Sequence, residues 1–493
     1  MNTRILFRLV IFLLGVMVWT ACEDNDDFTS SPSKLLTFST DTVKVDTTFS
    51  LVPTPTKTLW VYNRSGKGLR CSSVRLLKGN QTGFRVNVDG FYLGASEGYQ
   101  VSDVEIRNKD SIRVFVELTA PLNQRDEIVR IDDDLVFTLE SGVQQKVHLR
   151  SWSWDAEIRR DWHITGDETI DQEKPIVIYG GLTVDEGATL TINGGTTLYF
   201  HNDAGLDVHG TLKVNGSADK NVVLRGDRID HMFDYLPYDR VPGQWQGVKI
   251  HESSFDNELN YVDIHSAFNG LTCVSEDATK MKLKLHNSVI HNCQGCCLKA
   301  TNSMVEVTNT ELSNALDDCA HFEGGDITLN NCTLAQFYPF DSARKAALFF
   351  SNVNPLTSLV CRNTIITGYA DDVLTGSKVD DAADFNFLFD HCVVRTPEIT
   401  GDDGKLFTEV VFEDPEDKEH GGINHFVLID TENLIYDFRL AKVSLAKDIA
   451  DPATATSEDR YGVVRDEKPD AGAYECTETE QEEEEEQEQP ENP

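Results

Sequence analysis

Hydrophobic and polar positions change rhythm twice along this 493-residue chain. In the first third, apolar side chains alternate with polar ones in "TVKVDTTFSLV", "KTLWVYN", "FRVNVDG", "SIRVFVEL" and "DLVFTLE". Period-two alternation puts successive side chains on opposite faces of a strand, so residues 35–150 are expected to form a small antiparallel β-sandwich. From Lys174 the rhythm shortens to brief apolar runs between Gly, Asn and Asp corners. Similar four-residue phrases then recur, beginning at Asn287, Asn309, Asn331, Asn363 and His391, with starts 22, 22, 32 and 28 residues apart. One coil of three short strands and three turns takes about 22 residues, and the wider gaps read as coils carrying inserted loops. Each coil buries its apolar face only against its neighbours, so 151–435 is expected to be a solenoid with the asparagines stacked at one corner.

The texture of particular phrases adds to this. "GGLTVDEGATLTINGGTTLYF", "GLDVHGTLKVNGS" and "WQGVKI" resemble the opening rungs of right-handed parallel β-helix proteins. The "LWVYN" strand and its surroundings resemble the immunoglobulin-like modules that precede such helices in Bacteroides-type surface proteins. The stretch 436–476, with "DFRL", Ser444, Asp448, Arg465, Pro469, Asp470, Gly472 and Glu475, resembles the closing segment of bacterial extracellular β-helix proteins. The resemblance implies an all-β chain, in which an Ig-like β-sandwich is followed by a pectate-lyase-like right-handed parallel β-helix with a C-terminal cap. An open apolar end needs such a cover, and Asp470 and Glu475 are placed to pair with Arg465.

The termini carry other signals. Arg4 and Arg8 precede "LVIFLLGVMVW", too short to span a membrane comfortably, and Thr20, Ala21 and Cys22 follow. This resembles a bacterial lipoprotein signal, with Trp19 where that pattern prefers leucine. It implies a signal peptide over 1–21, lipidation at Cys22 and a membrane anchor without a spanning helix. The acidic "EDNDD" after the cysteine resembles the surface-export signal of Bacteroides lipoproteins, so the expected place is the outer membrane, exposed at the surface. Residues 22–34 read as a polar tether. Residues 477–493, with nine glutamates and no base, read as a disordered acidic tail. The net charge is −38, and about −29 without that tail, which argues against a nucleic-acid partner.

Candidate chemistry centres on "NALDDCAHFEGG". Asp317-Asp318-Cys319 resembles the acid pair of polygalacturonases, but that family's companion Asn-Thr-Asp, Gly-His-Gly and Arg-x-Lys sequences have no counterparts in the neighbouring coils. Eight residues on from Tyr261, which holds the same register one coil earlier, and from Asn287, Asn309 and Asn363 stand Asn269-Gly270, Gly295-Cys296, Asp317-Asp318 and Asp371-Asp372, each followed by an apolar or cysteine residue. Asn, Asp and Gly tolerate tight corners, so the pair is read as a recurring turn. With Lys345, the four aspartates are the catalytic candidates if the solenoid is a polysaccharide lyase or hydrolase, and as an acidic stripe they would hold Ca2+ or a cationic sugar. Cys293, Cys296 and Cys297, flanked by His286 and His291, lack a second pair at zinc-finger spacing, so no metal ligand is assigned to them. The leading expectation is a non-catalytic helix that binds polysaccharide or a surface protein, without a cofactor; an enzyme and a structural spacer are the alternatives.

Overall fold

The structure, a computed structural model, describes residues 27–417 and 419–477. The leader, the lipidation site expected at Cys22 and the glutamate run from 478 onward lie outside the described residues. The chain divides between Asp155 and Ala156 into two compact units.

In the first unit the alternating segments form two sheets. Thr37–Phe38, Lys57–Tyr62, Ser111–Leu118, Phe84–Val88 and Phe91–Tyr92 make one; Thr42–Phe49, Gln144–Trp154, Val129–Leu139, Leu69–Leu76 and Gln100–Val101 make the other. Ser111–Leu118 shows why: Ile112, Val114, Val116 and Leu118 are buried, while Arg113 between them is exposed. Inward side chains of both sheets, such as Leu59, Val61 and Val114 from one and Val74, Phe137 and Val147 from the other, close into one core. Part of the expected tether, from Asp27 on, is bonded to this unit. The backbones of Asp27 and Thr29 bond to that of Gly68, where a side chain would collide with the Phe28 ring. Phe28 is the one aromatic between 22 and 34, and the Arg70 guanidinium covers its ring at 5.2 Å.

The second unit is a parallel β-helix. Its strands join in a 25-stranded order in which each pairs with its counterpart one coil later. A single coil contributes a first strand at 298–301, a second at 304–308 and a third at Glu311–Ala315. Apolar side chains stack along the axis in matching register. Leu285, Val307, Leu329, Cys361 and Phe389 line the second sheet, and Ile264, Ile290, Leu312, Leu334, Ile366 and Val394 line the third. The repeat starts stand between these two sheets. Tyr261, Asn287, Asn309, Asn331, Asn363 and His391 all have φ between 47° and 52°, a left-handed corner that asparagine adopts readily. The side-chain ladder runs from Asn309 to Asn287 at 3.1 Å and on to Asn260 at 2.9 Å. It breaks at Asn331, which bonds to Asp470 and Thr456 of the closing segment instead.

That closing segment differs from the expected end cap in two ways. The last strands of the solenoid are Phe407–Thr408 and Val411–Phe412. The antiparallel hairpin of Phe426–Asp430 with Ile435–Leu440 straddles the boundary expected at 435 and packs with the closing residues. The segment also lies along the flank, not over the end. Ala335, Phe337, Ile365 and Val393 present an apolar strip on the outside of the third sheet, and Phe426, Phe438, Leu440, Ala471, Ala473 and Tyr474 cover it. Gly472, at φ 103°, lies so close that a side chain would meet Ile365 at 2.8 Å and Thr333 at 2.9 Å. Arg465 pairs with Glu475 at 2.9 Å but reaches only the backbone oxygen of Asp470. The Asp470 carboxylate instead accepts the N–H groups of Asp448 and Cys476, each at 2.8 Å. The ten cysteines after Cys22 are all free thiols, and nine are buried.

Candidate functional site

Asp317 and Asp318 lie at the turn from the third sheet to the first, where Cys297 N–H bonds to Asp318 O and Asp317 N–H to Gly295 O. The residues after the four corner pairs, Leu271, Cys297, Cys319 and Val373, are all fully buried. The two aspartates face different surroundings. Asp317 meets Lys345 at 2.7 Å near solvent, and this hydrogen bond holds the Lys345 ammonium above its usual range. Asp318 is 2% exposed; it accepts the Ala346 N–H at 2.9 Å and pairs with His321 Nδ1 at 2.7 Å. Asp371 reaches Arg395 at 3.5 Å, and Asp372 accepts from Thr396 Oγ1 at 2.9 Å. Arg344 lies over the Tyr369 ring at 4.6 Å. The four carboxylates and Lys345 are thus engaged locally and do not converge on one site.

A different set converges on the outer face of the third sheet. Strand register places Asp263, Val289 and Glu311 in one row across three coils, and His265, His291 and Ser313 in the next. One wall is the insertion between Gly226 and Val248, carrying Asp239 and Arg240. The other is the hairpin of the closing segment, with Arg460, Tyr461 and Tyr474. Arg240 donates across to the Asn433 carbonyl at 3.2 Å. Together they enclose a groove of about 670 Å³.

The floor is a network of charge. His265, almost fully buried, has Asp263 at 2.7 Å on Nδ1 and Asp239 at 2.8 Å on Nε2. Asp239 also meets Arg225 at 2.5 Å, and His291 Nε2 lies 3.3 Å from Asp263. Burial favours the neutral imidazole, but the Asp263 charge and the hydrogen bonds to both carboxylates outweigh it and raise His265 to about 9. Burial likewise opposes charge on Asp263, yet the two histidines hold its carboxyl well below the usual range. Glu311 accepts from Ser313 at 2.6 Å and from the Tyr474 hydroxyl at 2.5 Å. Burial first, and the Glu311 charge second, push the Tyr474 hydroxyl well above its ordinary value. Among the described residues, Asn314 Oδ1 and Arg460 Nε of the lining have no hydrogen-bond partner, on side chains 2% and 4% exposed.

Of these residues the sequence singles out only His291, beside the cysteines. The signal was nevertheless present. In the aligned repeats, the fifth position reads His265, His291 and Ser313, and the third reads Asp263, Val289 and Glu311.

No family model matches the chain, and no curated protein matches it. Among solved structures, the Vibrio cholerae VesB protease aligns at 14% identity and a TM-score of 0.16, over 28% of this chain and 34% of its own. The chain therefore spans about a third of that structure. A PapD-like domain of human CEP192 aligns at 12% identity and 0.17, over 26% of this chain and 92% of that domain. A family 123 glycoside hydrolase from Clostridium perfringens aligns at 8% identity and 0.17, over 24% of this chain and 26% of its own. Likeness at this level carries neither fold nor function over to this chain.

Proposed function

We propose that this chain is a surface lipoprotein of the outer membrane whose β-helix binds glycan in the groove on its third sheet. The observation that carries the reading is the groove's unused hydrogen-bonding capacity. An unpartnered buried polar atom costs roughly 1–3 kcal/mol. The lining holds such an acceptor, Asn314 Oδ1, and such a donor, Arg460 Nε. A hydroxyl-rich ligand satisfies both kinds at once. The Tyr461 ring, 49% exposed at the rim, offers an apolar face for a sugar ring to lie on. In the same reading the first unit is an Ig-like module, the helix is right-handed, and acylated Cys22 anchors the whole to the membrane, as the resemblances of their sequences imply.

A second reading, hydrolysis in the same groove, rests on one observation. Asp263 and Glu311 share a register two coils apart. Stacked strands put their backbones about 9.6 Å apart, just beyond the roughly 6.5–9.5 Å that separates the carboxyl groups of an inverting pair. One experiment addresses both readings. The chain from residue 27 onward is run through gels containing neutral or acidic polysaccharides, beside its Tyr461→Ala variant, and the mixtures are assayed for reducing ends and unsaturated products. Retardation by a polysaccharide without products, weakened about tenfold in the variant, is expected for loss of one aromatic contact. Released products would favour hydrolysis. No retardation and no product would leave the spacer reading standing and the binding reading refuted.

A further inference from the structure

At the floor of the groove, the side chains of Asp263, His265 and His291 meet, and we propose that they bind one transition-metal ion of the Zn2+ class, with a coordination position open to the groove. One ligand atom from each of the three lies within 4.8 Å of the others. A tetrahedral ion with bonds of about 2.0–2.1 Å separates its ligands by about 3.3 Å. His291 Nε2 and Asp263 Oδ1 already stand 3.3 Å apart, and His265 Nδ1 is 2.7 Å from the same oxygen. The ion replaces the proton between His265 and Asp263, which passes to solvent, and that pair opens from 2.7 Å to about 3.3 Å.

The surroundings fit a metal ligand set. A ligating imidazole ordinarily donates its other N–H to a carboxylate, which fixes its tautomer and direction. Asp239 takes that place, 2.8 Å from His265 Nε2, and is itself held by Arg225. Asp263 and His291 both line the groove, so the fourth position faces it, the arrangement of a site that keeps one ligand exchangeable. Two imidazole nitrogens and one carboxylate suit Zn2+, Co2+ or Ni2+, whereas Ca2+ takes oxygen ligands. The rival cluster among the described residues is Cys296, Asp318 and His321. There Asp318 already gives one oxygen to the Ala346 N–H, and burial pushes the Cys296 thiol up to about 12, away from the thiolate a metal needs.

Metal binding by these three side chains requires no glycan, and the experiment omits one. Full chain in detergent is stripped with a chelator and titrated with Co2+, whose tetrahedral complexes absorb in the visible; Zn2+ affinity follows by competition. One equivalent is expected to bind. His291→Ala and His291→Gln are each expected to weaken binding more than about 100-fold, and Asp239→Asn about 10–100-fold. Cys296→Ser is expected to leave it unchanged, with circular dichroism melts certifying that each variant is folded. Absence of a saturable cobalt spectrum would overturn the proposal, as would unchanged affinity in both folded His291 variants. A thiolate-to-cobalt band that vanishes in Cys296→Ser would also overturn it, by moving the ion to the corner.

Discussion

Asp317 and Asp318 are adjacent in sequence and alike in chemistry, yet one faces solvent and the other the interior. The Asp317–Lys345 pair is 41% and 61% exposed, and such pairs contribute about 0–1 kcal/mol. Asp318 is buried and satisfies a backbone N–H and an imidazole, so removing it strands both partners at a cost of roughly 2–3 kcal/mol. Asp317→Ala is therefore expected to shift the urea midpoint of the β-helix hardly at all, and Asp318→Ala to lower it clearly. Equal small shifts would mean that Asp318 is not the structural corner residue described here. At this scale the pairing of aspartate with a turn was legible from residue type. Which of the two is buried was not, because it depends on Lys345, Ala346 and His321 arriving from other parts of the chain.

Among the elements, the closing segment departs most from expectation. Read as a cap, it needed only to cover one end; as a flanking strap it covers an apolar strip and forms a wall of the groove. Asp470 is central to its attachment. Burial pushes this carboxyl up to about 6, aided by the charges of Glu475 and Asp448 and opposed by the two N–H groups it accepts; Arg465 lies beside it. An unfolded aspartate ionises near pH 4, so the folded form binds the proton more tightly. Its contribution to stability is full below about pH 4, is lost as pH rises to about 6, and is constant above that. The resistance of the closing segment to limited proteolysis, compared between wild type and Asp470→Asn, is expected to show this directly. The wild type should lose ground relative to the variant from pH 4.5 to 6.5, and a constant difference across that window would refute the assignment.

For the whole molecule, the division at Asp155 gives each unit a core of its own. A fragment of residues 27–155 is accordingly expected to fold alone and melt cooperatively by circular dichroism; an unfolded fragment would show that its core needs the solenoid. The asparagine-led repeats were legible because a left-handed corner recurs at the same point of coil after coil, and few residues but asparagine and glycine adopt it without cost. The apolar stacks followed from the same period. The sequence by itself thus determined that strands alternate, that coils repeat, and where the corners stand, since each of these is enforced within one coil or between a coil and the next.

Only the tertiary structure decided where chemistry gathers. Asp239 comes from an inserted loop, Asp263, His291 and Glu311 from three coils, and Arg460 and Tyr474 from a segment returning along the flank. Local periodicity says nothing about how far a loop reaches or which side a terminal segment takes. Those are settled by the apolar strip at Ala335, Phe337, Ile365 and Val393, which draws the closing segment onto the third sheet and makes a groove of what would otherwise be an open face.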